Sequence, residues 1–311
     1  MDTPPKSFVA APMGEILAYV QAEIERGAGR IAFVVADATR GGGAYAGEPE
    51  ARSGVRHRPY RVWVELAGRL GWRLAELSGQ TGGRLMVVLE RLPAEEMPRL
   101  ADPREKYGTR SSFARLDKAE EPTFVLDFVD AIERAAVPSR ARVLVLGCNR
   151  GDEIALLQRH APGLVASGSV VGVDHCVSAV AQARRRFPAG NHAFLCEDVA
   201  ELDLLDIGRF DLVIAIDVLQ SPQIDDRALL RHLVKERLTP QGSLVLAFPN
   251  CRYRDGELLP GARMKNFRQP ELGLLFKSVA FYRRYLQQHR RRVFVTGTHE
   301  ILVTAVPVRI N

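Results

Sequence analysis

Short apolar runs alternate with helical patterns between residues 140 and 216. Each run has the length of a strand and carries polar residues only at its ends, whereas the segments between the runs have the apolar spacing of amphipathic helices. Strands of this kind belong to a sheet that helices cover on both faces, which is a parallel, doubly wound arrangement. The predicted strands are 142–146, 169–173, 192–196 and 210–216, and the predicted helices are 152–160 and 177–187.

The pattern continues towards the C-terminus with a helix over 226–238 and a fifth strand over 243–248. After a helix over 270–288, two strands at 293–296 and 301–305 follow one another so closely that they must pair as an antiparallel hairpin. The sequence therefore predicts an α/β fold with a doubly wound, mostly parallel seven-stranded sheet that ends in a C-terminal antiparallel hairpin, plus a smaller N-terminal α/β module.

The N-terminal third has the order helix, strand, long loop, helix, strand, strand, which is also the order of elements over 226–306. Two interpretations stay open: the N-terminal module is a partial duplicate of the distal half of the main domain, or any two α/β stretches look this similar. We expect three parts: the N-terminal module (1–95), a linker or lid (96–118) and the main domain (119–311). The middle part either folds over a ligand cleft or packs on the edge of the sheet.

Composition places the chain among ordinary globular proteins. Of its 311 residues, 46% are hydrophobic and 26% are charged, which excludes disordered and collagen-like classes. No uncharged apolar stretch approaches the ~18 residues of a membrane span, and the start of the sequence lacks an apolar signal core, so a cytoplasmic protein is expected. The cysteines form no CxxC pair and the histidines have no ligand spacing, so we expect reduced thiols and no metal.

The net charge of +6 is unevenly distributed. Residues 252–292 contain eleven Lys and Arg residues against three acidic ones, so the rest of the chain is slightly acidic. This basic patch favours an anionic partner, either RNA or a small acidic metabolite, although such a face is often only solvated surface.

Candidate chemistry is concentrated where the predicted strands end. The first strand ends at Gly147, and Cys148 and Asn149 lead through a tight turn to Gly151 at the start of a helix, so that backbone can approach a ligand closely. The next three strands are followed by acidic residues, and because the carboxyl ends of parallel strands meet at one edge, these carboxylates should line one cleft. They are Asp174, which lies 23 residues after Gly151, Asp198 and Asp217.

With these motifs the sequence resembles the class I S-adenosylmethionine-dependent methyltransferases over about 120–306. The resemblance implies that the Gly147–Gly151 turn faces the methionine part of S-adenosylmethionine and that Asp174 binds the ribose hydroxyls, with His175 bordering the cofactor. It also implies that Asp198 and Val199 hold the adenine edge.

The segment that begins at Asp217 looks like the fourth motif of the family, beside the sulfonium and the substrate. Two positions depart from the family pattern. Val145 stands where the family has an acid, which removes one anchor for the ammonium group of the cofactor. Asn149 stands where the family has a glycine, but Asn tolerates a positive φ, so the turn can form.

Methyl transfer requires little more than the positioning of two bound molecules, so no dedicated catalytic residue is predicted. The candidates for the acceptor pocket are Asp217, Asn250 and Tyr253, with arginines on either side of Tyr253. Cys251 is either a nucleophile or a structural thiol. The predicted function is methyl transfer from S-adenosylmethionine to RNA or a small acidic metabolite. The alternative is a noncatalytic RNA- or protein-binding module with a degenerate cofactor site.

Overall fold

The computed structural model describes residues 4–37, 45–49, 55–94, 103–261 and 272–308. The chain divides into two compact units. The N-terminal unit comprises Met1–Met97 together with Arg252–Pro260, and the large unit comprises Pro98–Cys251 together with Gly261–Asn311. No helix among the described residues has the length and hydrophobicity to cross a membrane.

The N-terminal unit contains one four-stranded sheet with strand order β1-β2-β4-β3. The short strand β1 runs parallel to β2, and the other neighbouring strands are antiparallel. Aromatic side chains fill its core, with Phe33 and Trp63 fully buried between the sheet and the two helices. Its elements are β1 (Lys6–Ser7), α1 (Met13–Glu25), β2 (Arg30–Ala36), α2 (Tyr60–Leu70), β3 (Trp72–Gln80) and β4 (Arg84–Arg91).

The remaining elements start with α3 (Pro122–Ala135), β5 (Arg142–Leu146), α4 (Asp152–His160), α5 (Pro162–Ala166), β6 (Ser169–Val173), α6 (Val177–Arg186), β7 (His192–Leu195) and β8 (Phe210–Ile216). They continue with α7 (Asp226–His232), β9 (Leu238–Pro249), β10 (Cys251–Arg254), β11 (Glu257–Pro260), α8 (Leu272–Gln288), β12 (Arg291–Gly297) and β13 (Glu300–Pro307).

The large unit is built on a seven-stranded sheet with strand order β12-β13-β9-β8-β5-β6-β7. All strands from β9 to β7 in this order pair in parallel, and only β13 is antiparallel to both of its neighbours. Apolar clusters cover both faces of the sheet. The predicted fold class is confirmed. The strand order changes direction between β5 and β8, and this switch point is where doubly wound sheets bind ligands.

The boundary between the units differs from the expected one at 252–260. Arg254 donates hydrogen bonds to the carbonyl oxygens of Leu92 and Pro93 at 3.0 and 2.7 Å, and Asp255 forms an ion pair with Arg73. These contacts attach the hairpin of β10 and β11 to the N-terminal unit, although it lies far along the chain from the other residues of that unit.

The helix predicted over 226–238 ends early. After α7, residues Leu233–Arg237 form a wide turn of π-helix, and β9 already begins at Leu238. Arg237 explains this end, because its buried guanidinium donates to the carbonyl oxygens of Leu202 and Leu205 at 2.9 and 2.7 Å. The Thr-Pro-Gln-Gly segment that follows Leu238 is part of β9, where the pairing with β8 shifts register.

The two units share a topology. The elements of the N-terminal unit follow one another as β1, α1, β2, α2, β3 and β4, and its strands pair in the order β1-β2-β4-β3. The corresponding elements of the large unit follow one another as β8, α7, β9, α8, β12 and β13, and their strands pair in the order β8-β9-β13-β12. Two backbone hydrogen bonds recur at equivalent places: Phe8 N to Val34 O corresponds to Asp217 N to Ala247 O, and Asp37 N to Gly83 O corresponds to Asn250 N to His299 O. The duplication hypothesis stays a prediction, and these similarities support it.

Candidate active site

The turn after β5 has the backbone conformation that its sequence predicts. Gly147, Asn149 and Gly151 all have positive φ, at 62°, 43° and 86°. The expectation that Asn149 tolerates this conformation is confirmed, and its side chain also fixes the turn. Its Oδ1 accepts a hydrogen bond from the Arg150 backbone at 2.8 Å, and its Nδ2 donates to the Tyr107 carbonyl oxygen at 2.9 Å.

Glycine is required at both ends of this turn by the neighbouring side chains as well as by the backbone conformation. A Cβ on Gly147 would lie 2.5 Å from Cγ2 of Val218, and a Cβ on Gly151 would lie 2.5 Å from the ring of Phe187. Both distances are shorter than any van der Waals contact allows. The glycines are therefore needed to form the turn itself, whether or not a ligand approaches it.

We expect Gly151→Ala to lower the free energy of unfolding by about 1–3 kcal/mol, because the methyl group meets Phe187 and alanine is strained at this φ. Denaturant titration measures the change. Gly190→Ala is the matched control, since Gly190 is exposed and a Cβ there meets nothing within 4 Å. Equal stability of the two variants would show that the turn can relax at no cost.

Asp174 joins the end of β6 to the glycine turn. The residue is only 5% exposed, and its Oδ2 accepts a hydrogen bond from the Asn149 backbone at 2.9 Å. Its Oδ1 accepts one from the Cys176 backbone at 2.8 Å. The structure thus brings together the turn and the first of the predicted acids. His175 lies beside them, with Nδ1 3.9 Å from Asp174 Oδ1.

Asp198 stands at the exposed end of the edge strand β7. Its side chain accepts a hydrogen bond from the Ala200 backbone at 2.8 Å and so caps the short 3-10 helix Val199–Leu204. Val199 is buried at 5% exposure. No hydrogen bond among the described residues links Asp198 to the glycine turn or to Asp174, so its place at the adenine edge stays a prediction.

Asp217 ends β8 in a left-handed conformation with φ 57°, which is uncommon for a residue other than glycine. It is part of a buried group of charges that the sequence analysis missed. The ammonium of Lys118 forms an ion pair with Asp217 Oδ2 and donates to Glu300 Oε1 at 2.9 Å. The side chains of Lys118, Asp217 and Glu300 are 18%, 27% and 6% exposed. We call these three residues the Lys118 triad.

The triad is strongly perturbed electrostatically. Burial raises the pKa of Glu300 to about 8, and the carboxylate of Asp217 acts in the same direction while Lys118 opposes it. Burial alone would lower the pKa of Lys118, but Asp217 and Glu300 outweigh it and the pKa rises. Nearby, burial raises the pKa of Glu153 at the start of α4 to about 7. Lys118 therefore stays charged, whereas Glu300 keeps its proton at neutral pH.

Three oxygens in this region are buried away from N–H donors. Among the described residues, no N–H group donates to Asp217 Oδ1, Glu300 Oε2 or Gln220 Oε1. The carboxyl groups of Glu300 and Asp217 are hydrogen-bonded to each other, which contributes to the raised pKa of Glu300. Because Glu300 keeps its proton at neutral pH, that proton is the donor between the two groups.

The cysteines of the site are structural thiols. Burial, followed by the carboxylate of Glu300, raises the pKa of Cys251 to about 12, so at neutral pH it is protonated and a poor nucleophile. Cys148 is fully buried, and burial likewise raises its pKa. Of the two interpretations of Cys251, the structure supports the structural one.

The other acceptor-pocket candidates belong to different units of the chain. Asn250 belongs to the large unit, where its Nδ2 donates to the Thr298 carbonyl oxygen at 3.0 Å in the turn between β12 and β13. Tyr253 belongs to the N-terminal unit. Its role in an acceptor pocket stays a prediction.

The basic residues of the 252–292 patch belong to both units of the chain. Arg291 is buried and donates to the carbonyl oxygens of Gly242 and Thr239, so it is structural. Arg252 and Arg254 belong to the N-terminal unit, while Arg263, Lys265 and Arg268 lie outside the described residues. The basic residues exposed in the large unit are Lys277, Arg283, Arg284, Arg290 and Arg292. On α8, Phe276 is 65% exposed, whereas Leu275, Val279, Tyr282 and Leu286 are buried.

A segment of three 3-10 turns between residues 103 and 120 packs on the edge of the sheet that carries these groups. Arg150 donates to the carbonyl oxygens of Ala114 and Leu116 at 2.9 and 3.0 Å, and Glu105 accepts from the Ser178 backbone at 3.1 Å. Together with the Tyr107 and Lys118 contacts, these bonds hold the segment against the glycine turn and Asp217. These contacts fit both packing on the edge of the sheet and a lid over the cleft, so the lid stays a prediction.

A cavity of about 310 Å³ lies elsewhere, between α3, α4 and α5. It is lined mainly by apolar side chains, including Phe128, Ile132 and Leu157, and by none of the predicted site residues. Among the described residues no group of three His, Cys, Asp or Glu side chains is arranged to hold a metal ion.

A comparison with protein families finds a match in the central part of the large unit. Residues 143–242 match the model of a family described as a methyltransferase domain. A comparison with curated proteins finds none that matches this chain.

Among solved structures, one similar chain comes from the complex of the Haloferax volcanii Trm112 methyltransferase activator with a protein assigned as a methyltransferase, at 16% identity and a TM-score of 0.45, over 68% of this chain and 100% of that one. A second is a SAM-dependent methyltransferase from Aquifex aeolicus, at 16% identity and 0.43, over 58% and 90%. A third is magnesium protoporphyrin IX methyltransferase from Synechocystis, at 22% identity and 0.41, over 66% and 90%. Similarities of this size are too distant to identify a substrate.

Proposed function

We propose that the chain carries a class I S-adenosylmethionine-dependent methyltransferase domain and is an enzyme that transfers the methyl group of this cofactor to an acceptor bound at the carboxyl edge of the large sheet. The observation that carries the proposal is the hydrogen bond between the glycine turn and Asp174, at 2.9 Å, inside the segment that matches the family. It places the turn and the acid at the switch point of the sheet, where a nucleoside binds in folds of this kind.

The residues present fit the cofactor. Each carboxylate oxygen of Asp174 accepts only one backbone hydrogen bond and so retains a lone pair for a ribose hydroxyl. Asp198 is exposed and caps a short helix with Oδ1, which leaves Oδ2 for the adenine amino group. Val145 is buried at 1% exposure within the core of the sheet, so this position does not contact a ligand.

When bound, S-adenosylmethionine supplies a methyl group made electrophilic by the positive sulfonium. The side chains of Asp217, Glu300 and Glu153 lie on the same side of the sheet as the glycine turn. Because the raised pKa values of Glu300 and Glu153, about 8 and about 7, keep much of both groups protonated at neutral pH, Lys118 balances the charge of Asp217. The charges of the site therefore do not select against an anionic acceptor, and RNA or a small acidic metabolite stays the predicted acceptor.

We expect the protein to bind both S-adenosylmethionine and S-adenosylhomocysteine in a calorimetric titration. Asp198→Ser should weaken binding about 10-fold, because a charge-assisted hydrogen bond is lost while serine preserves the helix cap. Asp206→Ala, the removal of an exposed acid nearby, should leave the affinity unchanged. No binding of either ligand at millimolar concentration would contradict the proposal and favour a noncatalytic binding module.

A further inference from the structure

A cation without a counterion is buried in the N-terminal unit. Arg58 is only 3% exposed, and its Nη2 donates to the Ala11 carbonyl oxygen in the loop between β1 and α1. Its Nη1 is also buried and has no hydrogen-bond partner. A buried charge is costly unless an opposite charge and hydrogen bonds compensate it, so this guanidinium indicates a missing acceptor.

The charged groups around Arg58 do not supply that acceptor. Burial and then the neighbouring cation Arg56 lower the pKa of Arg58, and no described carboxylate opposes them. The nearest described acids on either side along the chain have other partners. Glu48 accepts from a backbone N–H in its own turn at 3.1 Å, and Glu65 forms an ion pair with Arg61 on the exposed face of α2. The surroundings of Arg58 are therefore positive.

A second buried donor lies at the same start of a helix. Because α2 begins after Pro59, Arg58 and Trp63 occupy the positions directly before the N-cap and four residues after it, whose side chains meet at the start of a helix. Trp63 is fully buried, and its indole N–H, which can only donate, has no acceptor among the described residues. Two unpaired donors therefore face the first turn of α2.

The backbone of α2 adds to the positive potential. No side chain caps the N-terminal end of this helix, and its first turn contains no acidic residue. The free backbone N–H groups and the helix dipole make such an end favourable for an anion. The loop that carries Ala11 follows Phe8, the counterpart of Asp217 in the shared topology, so the group lies at the carboxyl end of β1.

We propose that the N-terminal unit binds a small oxyanion, a carboxylate or a phosphate, whose oxygens accept hydrogen bonds from Arg58 Nη1 and Trp63 Nε1 at the N-terminus of α2. A guanidinium binds both kinds of group through paired N–H donors. Both side chains are buried, so the site takes a small ion and excludes the backbone of a nucleic acid. The exposed Arg56 attracts the anion from solvent. This site is independent of the proposed methyl transfer.

The first test uses the tryptophan fluorescence of the full chain, which reports on the N-terminal unit because both tryptophans belong to it. Urea denaturation is followed in sodium phosphate, acetate and chloride at equal ionic strength. We expect phosphate or acetate to raise the midpoint above that in chloride, since an ion that binds only the folded state stabilises it. The salt that acts identifies the ion as phosphate or carboxylate.

General effects of these salts are removed by two variants. The rise should persist in Arg69→Met, which replaces an exposed arginine of α2, and should be absent from Arg58→Met. In chloride, Arg58→Met should keep or raise the midpoint, because it removes an uncompensated buried charge. A midpoint lowered equally in all three salts would show that Arg58 only supports the Ala11 loop, and salt effects that are the same in all proteins would likewise refute the site.

The indole N–H signals of ¹⁵N-labelled protein locate the ion. The chain has two tryptophans, and Trp72→Phe identifies the signal of Trp63. We expect the active anion to shift the Trp63 signal, and chloride to leave it unchanged. Arg58→Lys keeps the charge but loses the paired donors, so the anion concentration at half of the shift should rise about 10-fold. No shift, or a shift of the Trp72 signal alone, would overturn the proposal.

Discussion

Replacement of Lys118 by methionine is expected to lower the free energy of unfolding by about 3–5 kcal/mol, as removal of one partner from a buried ion pair does. Methionine fills a similar volume but leaves Asp217 and Glu300 facing each other without a cation. Urea titration measures the loss. Lys235→Met, the same replacement on an exposed side chain, should change stability by less than about 0.5 kcal/mol.

The pH dependence of this loss has a definite sign. The pKa of Glu300 is raised to about 8 in the folded protein from 4.5, so between these values the folded state holds a proton that the unfolded state has released. Stability from this group therefore falls as the pH rises through that window. Without Lys118 the two carboxylates repel more strongly, so the destabilisation should be larger at pH 9 than at pH 6. A loss that is small and independent of pH would show that Lys118 is not paired with the carboxylates.

Asp174→Ala is expected to destabilise the large unit by about 2–5 kcal/mol, because it leaves the backbone N–H groups of Asn149 and Cys176 buried without acceptors. It should also weaken the binding of S-adenosylhomocysteine by at least about 100-fold, since the support of the turn and the proposed ribose contact are both lost. Denaturant titration and calorimetry measure the two effects.

A pair of variants separates the structural role of Asp174 from its predicted binding role. Asp174→Asn keeps one acceptor oxygen, so it should be intermediate in stability. Asp203→Ala removes an exposed acid near Asp198 and should change neither property. Full stability of Asp174→Ala would contradict the hydrogen bonds that join the turn to β6.

The sequence was sufficient to predict the sheet and the glycine turn because both depend on local patterns. Apolar runs of strand length with helices between them leave few alternatives to a doubly wound sheet, and Gly147 and Gly151 mark the turn. Asp174 was predictable for the same reason, since it directly follows an apolar strand. Since the turn and Asp174 each follow a strand of a parallel sheet, both are expected at its carboxyl edge.

The Lys118 triad was not predictable from such patterns. Lys118 is 99 residues from Asp217 and 182 from Glu300 along the chain, and the polar segment that contains it has no periodicity to indicate burial. Glu300 gives one signal, a charge directly before the apolar run 301–305, but the strands predicted at 293–296 and 301–305 leave it outside the sheet. Only the fold brings these charges together.

The attachment of the 252–260 hairpin was equally hidden. Arg254 satisfies carbonyl oxygens of Leu92 and Pro93 at the end of the N-terminal unit, more than 160 residues earlier in the chain. Its sequence, with alternating basic and aromatic residues after a strand, suggested ligand binding. A hydrogen bond to backbone that is distant along the chain leaves no local pattern in the sequence.

The shared topology supports the hypothesis that the N-terminal unit is a partial duplicate of the distal half of the large unit. The chemistry of the site, however, is not repeated. Phe8 occupies the place of Asp217 in the equivalent backbone hydrogen bond, and Arg84, opposite Ala36, occupies the place of Glu300, opposite Pro249. Neither residue has a carboxylate. The N-terminal unit therefore has no equivalent of the pair formed by Asp217 and Glu300.

A crystal structure of the protein with S-adenosylhomocysteine tests the central claim most directly. The account predicts that the ribose hydroxyls lie within hydrogen-bond distance of Asp174, that the adenine lies beside Asp198 and Val199, and that the sulfur lies towards Asp217. Density for the ligand anywhere else, such as the cavity between α3 and α4, or clear density for an empty edge of the sheet at saturating ligand, would contradict it.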